Sequence, residues 1–385
     1  MLKEEDPLIE LIREWIMAPI DESAGLQLTI MEVFALVEEM INEHVVNWGP
    51  TSRLRKYLPT VRRIFAPMKL MEAVRQYDEA THFSKRKRVA PTFKEVRHIL
   101  NLATIHSIAP TLKMVTFDAD DTIYEDGGTI SAASEMVGVI VGLLRKGVVV
   151  SLVTAAGYPG EPHRYEARLH GILEALEALT PAERSRFLVM GGECNYLHVT
   201  STNPETGKVS LRVVPGREWK DGRGERWDQA EVDALLDVAE KVLREMVDTF
   251  QMTAAVLRKE RAIGIYNTST TKRLCYENLE ETALTVQHAL RNHTIPHCAF
   301  NGGNDVFVDI GNKALGISAL QRFVGPLLPT PQAGLEGHEC LHIGDRFTRT
   351  GNDTRSRDVA STVWVSNPEE TGYIMKTLLP LLADP

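Results

Sequence analysis

The feature that most restricts the fold of this chain is a strand–helix–strand pattern in residues 109–160. The stretch TLKMVTFDADD is a short apolar run that ends in acidic residues. The stretch AASEMVGVIVGLLRKG has apolar residues at helical spacing and closes at Gly147, a residue type common just after helices. VVVSLVTAAG is a second apolar run rich in β-branched residues. Two buried strands joined by a helix predict a parallel α/β sheet.

The rest of the chain divides around this unit. Residues 1–108 are predicted to be mostly helical, because apolar residues recur there at helical spacing. Residues 161–300 mix helical stretches with strands that are neighbours in sequence, which is typical of an α+β domain. Residues 301–385 return to the α/β rhythm. The predicted fold class is therefore α/β, with a helical N-terminal region and a Rossmann-like parallel sheet that is interrupted by an inserted α+β cap.

Composition and charge exclude several classes of protein. The chain has 385 residues, which is too long for a single ordinary hydrophobic core. Its formal net charge is −9, so it offers no general basic surface to nucleic acid. Its cysteines lie far apart without metal-type spacing, which argues against a disulfide framework or a zinc site; they are Cys194, Cys275, Cys298 and Cys340. The charged N-terminus and the lack of a window of about 18 apolar residues predict a cytoplasmic protein without a membrane span.

The acids that follow the first strand predict a metal site. Side chains two apart in an extended segment lie on the same side, so Asp118 and Asp120 can both face the edge where open α/β sheets bind ligands. Asp121 is then predicted to point away. Two adjacent carboxylates repel unless a cation lies between them, and Mg²⁺ is a hard cation that prefers oxygen ligands. The alternative is an acidic turn that only caps a helix.

Three later features have the residue types that phosphate chemistry needs. Thr154 ends the second strand, where a hydroxyl and free backbone amides can hold a phosphate oxygen. Lys313 follows a Gly-Asn turn at the start of a predicted helix. Asp345 directly follows the apolar run CLHIG, with Asp353 beyond it. Each residue taken singly also fits an ordinary structural or surface role.

In this order the motifs D-x-D-x-T, Thr, Lys and G-D…D resemble the haloacid dehalogenase superfamily of phosphohydrolases. The resemblance implies a cap inserted between the second and third motifs. It implies that Asp118 is the nucleophile and that Asp120 donates a proton to the leaving group and later removes one from water. Asp120, Thr154 and Lys313 are then the residues that contact the phosphorylated substrate.

The same resemblance implies a Mg²⁺ ion held by Asp118, the backbone carbonyl of Asp120, and Asp345. Asp353 is predicted to support Lys313 or a metal-bound water. Two departures from the family pattern bear on this site. The gap from Asp345 to Asp353 is wider than the compact G-D-x-x-x-D form, and Asp121 stands where glycine is common.

A narrower resemblance covers most of the chain. The stretches FDADDTIYEDGG, TAAGYPG, RKERAIGIYN and GDRFTRTGNDTRSRD are similar to the family of IMP-specific 5′-nucleotidases. This implies inosine 5′-monophosphate (IMP) as substrate. Asp126 matches a substrate-contacting position of that family, although a turn acid before two glycines is the alternative. Tyr158, Arg164, Lys259 and Arg261 are candidates for contacts to the base.

The resemblance also implies activation by ATP and a homo-oligomer, with a tetramer favoured. Lys85 and Lys87 lie in a basic run that can bind a triphosphate, or that is simply a solvated charge run. Two other functions remain open on the residues alone. One is a sugar-phosphate phosphatase or phosphomutase with the same core, and the other is a non-catalytic nucleotide-binding assembly protein.

Overall fold

The computed structural model describes residues 5–17, 28–86, 88–220 and 227–383. Within these ranges the structure has two β-sheets with helices packed on them. None of the helices in those ranges combines the length and apolar composition that a membrane-spanning segment requires.

The N-terminal region is helical, as predicted. Its helices are α1 (Pro7–Met17), α2 (Ile30–Val46), α3 (Arg53–Tyr57), α4 (Leu70–Thr81) and α5 (Phe93–Ile108). Helices α2 and α5 both begin with capping boxes, in which Thr29 or Thr92 exchanges hydrogen bonds with the residue three positions later. Helix α5 joins this region to the core, since the Asn101 side chain donates to the Trp364 carbonyl at 2.7 Å.

The first part of the core follows, and it contains the predicted strand–helix–strand unit. Its elements are β1 (Met114–Phe117), α6 (Glu135–Arg145), β2 (Val149–Val153), α7 (Pro162–Arg168), α8 (His170–Leu176), α9 (Pro181–Arg184), β3 (Phe187–Gly191), β4 (Tyr196–Thr202) and β5 (Val209–Val213). Strands β1 and β2 are parallel and fully buried, which explains their uninterrupted apolar sequences.

The insert forms the second sheet. Its elements are α10 (Gln229–Thr249), β6 (Ala254–Arg258), β7 (Ala262–Asn267), α11 (Tyr276–Leu290), β8 (His297–Asn301) and β9 (Asp305–Ile310). The strands are antiparallel in the order β6-β7-β9-β8. Alternate residues such as Val306 and Val308 are buried in a separate hydrophobic core with α10 and α11. This unit is called the cap below.

The chain then returns to the first sheet. Its last elements are α12 (Lys313–Val324), β10 (Cys340–Gly344), β11 (Ser361–Trp364) and α13 (Pro368–Leu378). In the described part of the chain the sheet has seven strands in the order β11-β10-β1-β2-β3-β4-β5. The first five of these are parallel to one another, and the pairs β3–β4 and β4–β5 are antiparallel. The predicted fold class, a parallel-sheet α/β core with a separate antiparallel α+β unit, is confirmed.

The strand order corrects two of the predicted domain boundaries. The sequence pattern predicts residues 187–213 in the insert, but they extend the core sheet. It predicts β9 in the core, but β9 pairs with β7 and β8 of the cap. The reason is that β4 and β5 are joined to β3 by short connections, and such strands have the same sequence pattern whether they start a new sheet or continue an old one. From the start of α10 to the end of β9, the cap spans residues 229–310.

Candidate active site

The parallel register brings three predicted site residues to one edge of the core sheet. Phe117 of β1 pairs with Leu152 of β2 and with Ile343 of β10. Asp118, Thr154 and Asp345 therefore follow neighbouring strand ends, which is where open α/β sheets bind ligands.

Asp118 is buried, with 6% of its surface exposed. Its Oδ1 accepts a hydrogen bond from the Ala119 amide at 2.8 Å, and its Oδ2 lies 2.7 Å from Lys313 Nζ. Burial raises the pKa of Asp118 to about 6, although the Lys313 ammonium opposes that shift. A buried carboxylate held by a single cation and directed to the sheet edge is suited to act as a nucleophile.

Lys313 bridges two acids. The turn before it requires glycine at Gly311, which has φ of 88° and lies where a Cβ would be 2.1 Å from Cys194 Sγ. Asn312 then caps α12 by accepting from the Leu315 amide at 3.1 Å. The fully buried Lys313 Nζ lies 2.6 Å from Asp353 Oδ1. Burial would lower the pKa of Lys313, but the carboxylates of Asp118 and Asp353 raise it above its ordinary range.

Asp353 lies beside Lys313 despite the long spacing in sequence. The segment after β10 folds back, because the Asp353 amide donates to the Arg346 carbonyl at 3.1 Å. Asp353 Oδ1 also lies 2.9 Å from His342 Nε2, and Oδ2 accepts from the Arg346 amide at 2.9 Å. Burial alone would raise the pKa of Asp353, but the Lys313 ammonium and the bond from His342 hold it below its usual range.

The carboxylates at this edge have the chemistry of a site for a divalent cation. Oxygens of Asp118, Asp345 and Asp353 all lie within 4.8 Å of one another. Asp345 Oδ1 is buried and has no hydrogen-bond partner among the described residues. Burial raises the pKa of Asp345 well above its ordinary value. Asp345 therefore has an oxygen that is available to a cation, and a set of carboxylate oxygens fits a hard cation.

Asp120 lies at the rim of this cluster. Its Oδ1 accepts from the Gly127 amide at 2.9 Å, and Arg168 Nη1 lies 3.3 Å from the same oxygen. One third of its side chain is exposed, so water and substrate can reach it. Asp126, in the same loop, is also exposed.

Asp121 has contacts that the sequence did not predict. Its φ of 54° is in the left-handed region, which explains why glycine suits this position. Its Oδ1 accepts from the Asp126 amide at 3.1 Å, and Arg346 Nη2 lies 3.4 Å from Oδ2. Asp121 therefore holds the acidic loop closed and joins it to Arg346.

Thr154 takes the position predicted for a phosphate-binding residue. It is buried at the end of β2, and its hydroxyl accepts from the Ala156 amide at 3.1 Å. Its own amide donates to the Met190 carbonyl at 3.0 Å. These bonds fix the hydroxyl next to the sheet edge.

The cap meets the core at the candidate base-binding residues. Arg164 Cζ lies 4.0 Å from the centre of the Tyr158 ring, and Lys259 Nζ, from the β6–β7 turn, lies 5.7 Å from the same ring. Lys259 Nζ also lies 5.6 Å from the Phe307 ring of β9. Arg261 lines a small pocket together with Lys259 and Gly157, and its Nε lies 3.6 Å from Glu260 Oε1. All four candidates therefore lie at this junction.

Sequence reasoning missed several residues at this site, among them Arg168, His342 and Arg346. His342 interrupts the apolar run of β10, and a histidine inside a buried strand was the available signal. Arg346 follows Asp345 directly and donates to the carbonyls of Asn301 at 3.2 Å and Gly302 at 2.9 Å, so it joins the core to the cap. Nothing in the sequence pattern around Arg346 indicated that contact.

Comparison with known proteins identifies the family. A sequence profile of the IMP-specific 5′-nucleotidase family matches residues 20–375. The chain belongs to this family. Membership confirms the predicted family and the enzyme class, phosphoric monoester hydrolase.

Named members of the family resemble the chain over nearly its whole length. The IMP-specific 5′-nucleotidase 1 of Neurospora crassa is 37% identical over 369 residues, which cover 91% of this chain and 84% of the relative. The Plasmodium falciparum protein of the same name is 34% identical over 394 residues, which cover 99% of this chain and 84% of the relative.

Solved structures of the Plasmodium falciparum IMP-nucleotidase have the same fold. An IMP-bound mutant of that protein superimposes with a TM-score of 0.88 at 34% identity, covering 99% of this chain and 95% of the other. An ATP-bound structure of that protein superimposes with a TM-score of 0.80 at the same identity, covering 97% and 84%.

Proposed function

We propose that this IMP-specific 5′-nucleotidase family member hydrolyses IMP to inosine and phosphate through an aspartyl-phosphate intermediate. The observation that carries the proposal is the buried Lys313 ammonium held between Asp118 and Asp353, beside the unpartnered Asp345 oxygen. A non-catalytic assembly protein has no need of such a set. The substrate is inferred from the family and from the IMP-bound relative.

In the first step an Asp118 oxygen attacks phosphorus, and the bond from phosphorus to the ribose O5′ breaks. The O5′ leaves with the electron pair and takes a proton from Asp120. In the second step water attacks the same phosphorus while Asp120 accepts the water's proton, and the Asp118 carboxylate is released. Thr154 and Lys313 bind the phosphoryl oxygens throughout.

The residues present fit a Mg²⁺ ion held by Asp118, Asp345 and the backbone carbonyl of Asp120. When bound, such an ion supplies the positive charge that offsets repulsion between a carboxylate and the phosphoryl oxygens. The raised pKa values of Asp118 and Asp345 support this assignment, because two buried acids that are costly to ionise without a cation become stable with one.

The nucleoside is proposed to lie between the core and the cap. Asp126, exposed beside Asp120, can accept from ribose hydroxyls. Tyr158, Arg164 and Lys259 provide an aromatic surface and cationic donors for the base at the cap–core junction. In the proposed arrangement the phosphate lies at the sheet edge and the base lies at the cap.

Regulation by ATP and assembly into a homo-oligomer, with a tetramer favoured, complete the proposed function. The ATP-bound Plasmodium falciparum relative supports the first of these. Lys85 is exposed next to α4 and can contribute to a triphosphate site, whereas Lys87 lies outside the described residues. Sedimentation of the full-length protein would give the oligomer number.

A panel of phosphate esters tests this function. With Mg²⁺ present, IMP is expected to be hydrolysed about tenfold or more faster than AMP, GMP or hexose 6-phosphates, judged by kcat/KM. Chelation by EDTA should abolish phosphate release and added Mg²⁺ should restore it. ATP should increase turnover of IMP. Faster release from a hexose phosphate would instead indicate the sugar-phosphate phosphatase alternative.

The role of Asp120 predicts a dependence on the leaving group. Asp120→Asn should lower turnover of IMP by roughly 10² to 10⁴, because the leaving O5′ no longer receives a proton. An aryl ester such as 4-nitrophenyl phosphate needs no protonation, so this variant should release about one equivalent of 4-nitrophenolate in a burst and then stall. Glu125→Gln, an exposed acid in the same loop, is the control. The same loss on both esters without a burst would contradict this role.

A further inference from the structure

Two polar side chains face each other inside the buried core sheet. Thr116 of β1 and His342 of β10 are register partners in parallel strands whose other side chains are apolar. Thr116 is 1% exposed and His342 is 0% exposed. Burial of polar groups costs free energy unless they are hydrogen-bonded, and two apolar side chains would pack here without that cost. We therefore expect this pair to serve the site at the end of the two strands.

The hydrogen bonds around His342 determine which ring nitrogen carries the proton. Nε2 lies 2.9 Å from Asp353 Oδ1, and an ionised carboxylate only accepts hydrogen bonds, so Nε2 is the donor. Nδ1 lies 2.9 Å from Thr116 Oγ1. The Leu341 carbonyl, a second possible acceptor for that hydroxyl, lies 3.5 Å away, so the hydroxyl donates to Nδ1. Burial also lowers the pKa of His342, which favours a neutral ring with its proton on Nε2.

The Asp353 oxygen that accepts from His342 also holds Lys313. Lys313 Nζ lies 2.6 Å from this oxygen and 2.7 Å from Asp118 Oδ2. A lysine ammonium is a point charge on a flexible stem, so the anions around it determine its position. A continuous chain of hydrogen bonds and ion pairs therefore runs from the Thr116 hydroxyl to the proposed nucleophile.

The backbone at the end of β10 leaves room for the Asp353 carboxylate. A Cβ at Gly344 would lie 2.3 Å from Asp353 Cγ and 2.4 Å from Oδ2, so a larger residue at this position would displace the carboxylate. The Arg346 amide donates to Oδ2 at 2.9 Å, and His342 donates to Oδ1. Each carboxylate oxygen thus has a donor on a rigid part of the core.

We propose that His342 is a positioning residue for phosphoryl transfer. Thr116 fixes the imidazole, the imidazole fixes the Asp353 carboxylate through Nε2, and the carboxylate holds the Lys313 ammonium at the phosphoryl site. This inference rests on the proposed function, because it takes Lys313 as the group that binds the phosphoryl oxygens. Contacts to the transferring group are strongest in the transition state, so misalignment of Lys313 lowers kcat more than it raises KM.

Three substitutions of His342 separate its two hydrogen bonds. His342→Gln places an amide N–H near the position of Nε2 and keeps the bond to Asp353. His342→Asn places its amide near the position of Nδ1, so it meets Thr116 but is too short for Asp353. His342→Leu fills the space of the ring and makes neither bond. The Asn and Leu variants should lower kcat for IMP about tenfold or more and change KM less than about threefold, whereas His342→Gln should keep at least about a third of kcat.

Binding of orthovanadate, an analogue of the transferring phosphoryl group, tests the same alignment without turnover. By calorimetry with Mg²⁺ present, vanadate should bind His342→Asn and His342→Leu at least about tenfold more weakly than it binds the wild type and His342→Gln. Inosine should bind all of them equally. His44→Asn is the matched control, because His44 is also fully buried and its Nδ1 lies 2.8 Å from Ser52 Oγ in the N-terminal region. It should leave kcat and vanadate binding unchanged, and melting temperatures would show that each variant is folded.

Neutron diffraction from crystals of the wild type tests the proton position, and it does not depend on the folding of any variant. Deuterium is expected on Nε2 of His342 and not on Nδ1. The proposal is overturned if Nδ1 carries deuterium, if folded His342→Asn and His342→Leu keep wild-type kcat and vanadate binding, or if His342→Gln loses as much as His342→Leu. Should the wild type prefer a different ester to IMP, the proposed substrate fails, while vanadate binding and the deuterium position still decide the role of His342.

Discussion

Asp118→Asn is expected to reduce phosphate release from IMP below detection, a loss of at least about 10³ in kcat. The amide cannot attack phosphorus, and the whole proposed route passes through a bond to this residue. The folded state should persist, because burial already disfavours the charged form of Asp118 and Lys313 keeps Asp353 as a partner. Initial rates and thermal melting of the purified variant would measure both effects.

Glu125→Gln is the matched control for that experiment, because it removes a carboxylate from the same loop at an exposed position. It should retain turnover and melting temperature. The aspartyl-phosphate of the wild type can be trapped with acid or by reduction. Peptide mass spectrometry should then locate the modified residue at Asp118. Substantial turnover in Asp118→Asn would exclude this residue as the nucleophile.

Lys313→Met is expected to lower turnover by about 10² or more and to reduce the free energy of unfolding by about 3–5 kcal/mol at neutral pH. Removing one partner leaves the buried carboxylates of Asp118 and Asp353 without their cation, and breaking a buried pair has costs of this size. Denaturant unfolding and IMP kinetics would measure the two effects. Lys241→Met, whose side chain is 78% exposed, is the control and should change neither quantity appreciably.

The stabilisation by Lys313 and Asp353 in the wild type depends on pH. The pKa of Lys313 is raised, so its contribution is present below the ordinary value of 10.5 and is lost as pH rises through the folded value. The pKa of Asp353 is lowered, so its contribution is present above the ordinary value of 3.8 and is lost as pH falls through the folded value. The wild-type pair is therefore intact across neutral pH.

Without Lys313 the buried acids become easier to protonate, so the stability deficit of Lys313→Met should be smaller at pH 5 than at pH 8. A deficit that is equal at both pH values, or larger at pH 5, would contradict the assignment of a buried charged pair. Unfolding free energies at the two pH values, measured for wild type and variant, are sufficient to decide this.

The boundaries of the cap could not be predicted from the local sequence pattern. Strands β3, β4 and β5 follow one another with short connections, and the sequence alone favoured an inserted α+β unit from residue 161. Hydrogen bonding between β3 and β4 instead extends the core sheet to Val213. The pairing of strands is a long-range choice, so residues within each strand carry little information about it.

The catalytic residues, unlike the cap boundaries, could be predicted from local motifs. Asp118, Thr154, Lys313 and Asp345 could be found because each follows an apolar strand or begins a helix, and the order of the motifs matched a known superfamily. The sequence leaves the role of Asp353 partly open, because its spacing departs from the common form. The structure brings Asp353 to 2.6 Å from Lys313, because the Asp353 amide donates to the Arg346 carbonyl and folds the segment back. His342 Nε2 lies 2.9 Å from the same carboxylate.

Residue order and side-chain chemistry alone therefore indicated the α/β core, the acids at its strand ends and the family to which the chain belongs. Those features depend on short-range periodicity and on motifs that are contiguous in sequence. The contacts of Arg346 with the cap and the Lys313 ammonium shared by Asp118 and Asp353 depend on packing between segments that are far apart in sequence. Only the tertiary structure decides these, because close packing and ion pairing are set by distances in space.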